Sequence, residues 1–341
     1  FYRLDCTFNV SQGNERTYVV LSGLNENMPA AVQLFEKLLA DAQVNKEAYT
    51  NMTSDILKAR SDAKLNQGQN FSRLMSFAMY GPKSPATNLL TEAELTNMNP
   101  QELVDRIHNQ NSYKHRILYY GPSSSKDLLA TINQYHQVPA ALKDIPAGNE
   151  YSYLETPVTK VLVAPYDAKQ IYMAQISNLD KKYDPAIEPI RALYDEYFGG
   201  GMNSIVFQEM RETRGLAYSA WASIMPPSYL KYPYVLRTQI ATQNDKMIDA
   251  VTTFNDIINN MPESEAAFKL AKDGLTNRLR TERIIKGDII WSYINAQDLG
   301  QNVDPRIKLY NDIQNMSLKD IVGFHKQWVR GRTEVFCSLG V

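Results

Sequence analysis

Few side chains in this sequence are of types that break or transfer bonds, and their spacing excludes the common arrangements. The four histidines are His108, His115, His136 and His325. None has a second His or a Glu at metal-ligand spacing on one helix face, so no metal site is expected within the chain. His325 shares a helical stripe with Ile321, Val322, Trp328 and Val329 and reads as a satisfied core histidine, while His115 opens a predicted strand at the surface. The two cysteines, Cys6 and Cys337, make neither a disulfide framework nor a metal knuckle. No Gly-x-Ser-x-Gly elbow occurs, and "GGGMNS" lacks the glycine spacing of a dinucleotide fingerprint and the lysine of a phosphate loop.

What remains is residues 199–219, "GGGMNSIVFQEMRETRGLAYS". Gly199, Gly200 and Gly201 give a tight entry to a helix, since glycine allows close packing and positive φ. Met202, Ile205, Val206 and Met210 fall at helical spacing and are expected to face a core. Gly215 suits a left-handed cap. The following strand puts Leu216, Tyr218, Ala220, Ala222 and Ile224 on one face, where the two alanines beside Tyr218 leave a shallow groove. By spacing alone, the stretch is also a capped core helix with a solvated Arg211 and a packing tyrosine, and that reading stays open.

The elements that position this stretch follow from hydrophobic period. The chain has 341 residues, 44% of them hydrophobic, and a net charge of −1. This allows one large or two medium domains and gives no sign of nucleic-acid or anionic-membrane binding. No apolar run approaches a membrane span. The chain begins at Phe1, not methionine, and runs at once into the strand-like "YRLDCTFNV", which reads as a processed product or an excised piece. Strands are predicted near 2–10 and 15–23, joined by the turn "SQGNE". Helices follow near 28–41, 45–65, 69–80, 100–110 and 124–136, with a strand at "RILYYG". Ala31, Leu34, Phe35, Leu38 and Leu39 mark the buried face of the first helix. Residues 139–156, rich in proline and without an apolar period, read as a linker. Beyond them come strands near 159–165, 169–178, 216–224 and 233–241. Helices are predicted near 185–198, 245–260, 263–282 and 287–299, with one or two more in 305–330. "TEVFCSLG" is a last strand.

An internal repeat organises these elements. Without gaps, Met28 falls on Met247, Ala31 on Ala250, Val32 on Val251, Phe35 on Phe254 and Ala48 on Ala267. "NMNPQELV" faces "NMSLKDIV", and "RILYYG" faces "EVFCSLG". Residues 159–215 have no counterpart upstream. The chain therefore reads as an incomplete first domain, 1–138, a linker, 139–156, and a complete second domain, 157–341. The missing half-repeat is expected upstream in the gene.

The junction "FQEMRETRGLAY", together with the repeat, resembles the C-terminal half of pitrilysin/insulinase-type zinc metallopeptidases, the inverzincins, which are related to the mitochondrial processing peptidase subunits. The resemblance covers essentially the whole chain. It implies an α+β fold of repeated domains, each an antiparallel sheet with helices packed on one face, the first domain here being incomplete. It implies a clam-like enzyme whose zinc sits on a His-x-x-Glu-His helix in the N-terminal half. That motif is absent from these residues, so zinc would be bound by the missing half, with no metal ligand here. The resemblance assigns Arg211 and Tyr218, seven positions apart, to contacts with the substrate or transition state, supplied in trans to the zinc. Arg214, Gly199, Gly200 and Gly201 accompany them as candidate substrate-binding residues. The partners implied are a peptide substrate and a catalytic half on the same polypeptide or a separate subunit, and the setting by analogy is the periplasm or cell envelope. The alternative is a non-catalytic peptide-binding or scaffold subunit that pairs with a separate catalytic chain.

Overall fold

The computed structural model describes residues 1–13 and 15–340, and within them the chain divides into two units. The first unit comprises residues 1–62 and 89–150, and the second comprises residues 63–88 and the chain from Tyr151 onward. The segment 63–88, which the sequence grouped with residues 1–138, therefore belongs with the second unit.

In the first unit, β1 (Cys6–Gln12) pairs antiparallel with β2 (Thr17–Gly23), from Cys6 opposite Gly23 to Gln12 opposite Thr17. The turn "SQGNE" contains Asn14, which lies outside the described residues. The helices of the first part of the chain are α1 (Met28–Ala40), α2 (Lys46–Lys64), α3 (Gln67–Tyr80), α4 (Glu92–Asn97), α5 (Gln101–Asn109) and α6 (Ser125–Tyr135). Of these, α3 lies in the second unit. Side-chain caps define several starts: Thr91 and Glu94 form a reciprocal capping box on α4, and the Ser124 hydroxyl accepts from the Asp127 amide on α6. On α1, Ala31, Val32 and Leu39 are buried, while Leu38, expected on that face, is exposed.

"RILYYG" is not a strand, contrary to expectation. Its repeat partner becomes β7 (Val335–Leu339), which is held between two neighbours, and no strand pairs with 116–121 among the described residues. Strand propensity without a partner leaves backbone groups unpaired, so the segment stays irregular. His115 is accordingly exposed but does not open a strand. Its Nε2 lies 2.8 Å from that of His136, whose Nδ1 bonds Glu36 at 2.7 Å.

The second unit is built on a five-stranded sheet in the order β3-β7-β4-β6-β5. The new strands are β3 (Lys160–Ala164), β4 (Gln170–Lys182), β5 (Ser219–Met225) and β6 (Pro233–Gln243). All neighbours are antiparallel except β3 with β7, which are parallel. The helices are α7 (Glu188–Phe198), α8 (Ile205–Phe207), α9 (Met247–Asn259), α10 (Glu265–Thr281), α11 (Asp288–Asp298), α12 (Pro305–Ile313) and α13 (Leu318–Trp328). Helices α1 and α9, superposed by the repeat, are each 13 residues long.

The larger core joins Ile171 and Met173 of β4 to Leu193, Tyr194 and Phe198 of α7 and to Phe324 and Trp328 of α13. On the other face, Phe71, Met75 and Ala78 of α3 cover Ala174, Ile176, Val235, Val335, Cys337 and Leu339. Because β4 is central and covered on both faces, its residues from Ile171 to Leu179 are almost continuously buried rather than alternating, Gln175 and Ser177 included. His325 is the core histidine the sequence indicated. Its Nε2 donates to the Ile258 carbonyl at 2.8 Å, and its Nδ1 accepts from the Tyr194 hydroxyl at 2.9 Å. Burial, with lesser help from Arg330 and Lys326, holds its pKa down at about 4, so it is neutral.

Candidate functional site

The glycine entry is shaped by close approach rather than by positive φ. Helix α7 ends where the Gly199 and Gly200 amides both donate to the Asp195 carbonyl, at 3.1 and 2.7 Å. A Cβ on Gly199 would sit 2.3 Å from the Ala222 carbonyl oxygen and 2.4 Å from its amide nitrogen. These are atoms of a strand backbone, which cannot swing aside, so only glycine fits. A Cβ on Gly200 would lie 2.7 Å from the Asp195 carbonyl oxygen, whereas one on Gly201 would meet nothing within 4 Å. Gly199→Ala is therefore expected to cost about 1–3 kcal/mol by overpacking, with Gly201→Ala as the neutral control. Denaturant unfolding of both variants checks this.

Past the glycines, Ser204 caps α8 by accepting from the Phe207 amide at 3.4 Å. The helix then widens into a π turn over Gln208–Thr213, which the sequence did not signal. Such turns are rare and concentrate at functional sites. Here the Met210 carbonyl accepts from the Leu216 and Ala217 amides at 2.8 and 3.2 Å, and Gly215 adopts the expected left-handed φ of 57°. Ile205, Val206 and Met210 are buried as expected. Met202 is not, being 73% exposed, because it precedes the Ser204 cap and lies outside the helix. The expected groove beside Tyr218 is also absent. Ala220 and Ala222 are buried in the larger core, where Gly199 presses directly on Ala222.

The wide turn brings Arg211 and Tyr218 together. The Arg211 guanidinium carbon lies 5.4 Å from the Tyr218 ring centroid and 5.1 Å from that of Phe207, so the cation is flanked by two aromatic rings. Its ion pair with Glu212 is long, 3.6 Å, with both side chains well exposed. Tyr218 is 70% exposed, and its amide donates to the Ala241 carbonyl at 2.9 Å, which ties its backbone to β6. Arg214 is not drawn into this pair. It turns back along the π turn to Glu209 at 3.4 Å.

Tyr218 stands at the head of β5, an edge strand. The other end of that edge is already closed from α7. The Gly199 carbonyl accepts from the Ala222 amide at 3.4 Å, and the Asp195 carboxylate accepts from the Ile224 amide and the Ser223 hydroxyl, each at 2.9 Å. Arg191 donates to the Ile224 carbonyl at 3.1 Å and to Asp195 at 2.8 Å, and it also grips Glu188. Burial pushes the Asp195 carboxyl up to about 6, against the pull of Arg191 and the two donors on β5. This network escaped the sequence reading, although Glu188, Arg191 and Asp195 at helical spacing on an otherwise buried helix were the available signal. The stretch of β5 left open to another chain is its start, beside Tyr218.

Catalytic zinc sites use three protein ligands, and among the described residues no three His, Cys, Asp or Glu side chains converge to hold a metal. The residues present do not fit such a centre. No helix of the described residues is long and apolar enough to cross a membrane.

Residues 117–275 match the family model described as "Peptidase M16 inactive domain". No curated protein matches the sequence. Among solved structures, a peptidase M16 inactive domain from Pseudomonas fluorescens has a TM-score of 0.73 at 16% identity, over 100% of this chain and 82% of that one. A protease from Helicobacter pylori gives 0.73 at 12% identity, over 100% and 83%. The periplasmic protease PqqL from Escherichia coli gives 0.73 at 13% identity over 99% of this chain, which spans 38% of that protein. The family model covers a little under half of this chain, and these solved structures, each at most 16% identical to it, show that it shares their fold.

Proposed function

We propose that this chain is the C-terminal, non-zinc-binding half of a zinc-dependent endopeptidase, and that it closes over a peptide and presents Arg211 and Tyr218 to it. The observation that carries this reading is the pairing itself. An arginine flanked by two rings and a highly exposed tyrosine stand together at the open start of an edge strand. A solvated arginine with no function gains little from being held this way.

Each group has a definite task. Peptide hydrolysis places negative charge on the carbonyl oxygen under attack, and donors aimed at that oxygen stabilise the transition state. The Tyr218 hydroxyl meets no protein partner among the described residues and is available as such a donor. The guanidinium of Arg211 is permanently charged, and its planar fork suits backbone carbonyls or a carboxylate. An extended peptide added to the start of β5 would run beside both, using backbone hydrogen bonds that are indifferent to side chains. In this reading Gly199 and Asp195 position the strand, and the substrate-binding role of Gly200, Gly201 and Arg214 is secondary. Zinc would be held by the other half, and the setting would be the cell envelope, as for the periplasmic relative.

The test is complementation. The purified chain alone is expected to cleave no peptide. Mixed with an N-terminal half bearing His-x-x-Glu-His, it should give chelator-sensitive cleavage. Activity in the isolated chain, or full activity in the zinc half without it, would refute the proposal.

A further inference from the structure

Among the described residues, Arg237 is a desolvated cation without a counter-charge. It sits on β6 opposite Ser223 of β5, on the sheet face that α3 covers over β7, β4 and Val235 of β6. On the uncovered part of that face, Ser219, Trp221, Ser223 and Gln239 are only half-buried. The Arg237 guanidinium carbon lies 5.3 Å from the Trp221 ring centroid, and Nη2 donates to the Met75 sulfur at 3.3 Å, a weak acceptor. The Nε atom is buried and has no acceptor at all. No carboxylate among the described residues is paired with this side chain, and burial alone lowers its affinity for its proton. Arg191, in the same unit, shows the usual solution for a desolvated arginine, which is two carboxylates and a carbonyl. Buried or half-buried charges are ordinarily paired, and an unpaired one calls for an explanation.

We propose that Arg237 and Trp221 form a subsite for a carboxylate carried by the bound peptide. This rests on the peptide-binding reading above. A single planar fork matches a carboxylate, whereas phosphate sites gather several cations or a cluster of backbone amides, and neither surrounds Arg237. The position fits a peptide as well. Trp221 lies on β5 immediately beyond the open start of the edge, and Arg237 leans across onto its ring. An extended segment paired at Ser219 and Ala220 directs alternate side chains over this face. The carboxylate could be an Asp or Glu side chain or the terminal carboxylate of the peptide. Either would supply the charge that the fold withholds, on the opposite face of β5 from the core.

Isothermal titration of the full chain with matched extended peptides tests this. One arm compares a central Glu with Gln, and a second compares a free C-terminal acid with its amide. In at least one arm the acid should bind about tenfold tighter than the neutral partner, as expected for a charge-assisted bidentate contact of about 1.4 kcal/mol. Arg237→Met should erase that preference without weakening the neutral peptide, whereas Arg211→Ala should weaken acid and neutral peptides alike. Met at 237 keeps the packing against Trp221 and Met75, so its melting temperature should not fall. Binding without acid preference, a preference that survives Arg237→Met, or a marked fall in melting temperature overturns the subsite alone. If no peptide binds, the peptide-binding reading falls with it.

Discussion

Replacing Tyr218 by Phe in the peptidase assembled with its zinc-bearing half is expected to lower kcat by about 10²–10³-fold, the loss of one transition-state donor, or about 2.7–4 kcal/mol. The fold should not register the change. The phenol is 70% exposed, its hydroxyl holds no other group among the described residues, and Phe keeps the ring against Arg211. Arg211→Ala is a sharper control. The contact of its guanidinium with two rings is worth roughly 0.5–1 kcal/mol at an exposed site, and its long ion pair with Glu212 adds nothing measurable. A structural role for Arg211 therefore predicts at most a small fall in stability and intact turnover. The functional role predicts the same small change in stability together with a large loss of turnover, which steady-state kinetics and thermal unfolding on the same preparations distinguish. Unchanged kcat in Tyr218→Phe would remove the tyrosine from the mechanism.

The second large effect falls on stability. Asp195→Ala is expected to destabilise the chain by about 3–5 kcal/mol, the cost of breaking a buried ion pair from one side. It would strand the Ser223 hydroxyl and the Ile224 amide at one stroke and take one of its two carboxylates from Arg191, which keeps Glu188. Asp195→Asn keeps an acceptor for the strand and should cost far less. The pH dependence has a definite sign. The folded carboxyl titrates near 6, above its unfolded value of 3.8. Between those values the folded state binds more protons, so the stability contributed by this group is full below about pH 4 and is lost as pH rises through 6. The shift of about two units corresponds to about 3 kcal/mol. Asp195→Asn should flatten that slope in chemical unfolding followed from pH 4 to 7. An unaltered slope would show that another group sets it.

The parts of this architecture that follow from local period were legible in the sequence. Helices α1 and α9 arise at the same repeat offset because both carry the same apolar stripe, and Gly215 takes the left-handed φ that its position after a charged turn implied. Where the outcome depends on partners, sequence period was insufficient. "RILYYG" and "EVFCSLG" have similar strand character, yet only the latter is flanked by strands and pairs. Met202 matched the helical spacing but stands before the cap. The π turn that brings Arg211 beside Tyr218 leaves no simple mark in composition. Asp195 and Arg237 were missed because their importance lies in contacts across the sheet, which a linear reading does not weigh.

Helix α3 has a practical consequence. It is encoded before residue 89, yet it roofs Val335, Cys337 and Leu339 near the far end of the chain. A truncation starting at the apparent boundary near 157 would strip that roof and bare a greasy sheet, inviting aggregation, while one starting near residue 63 would retain it. Anyone dissecting this protein should cut by tertiary neighbourhood, not by the linker its prolines advertise.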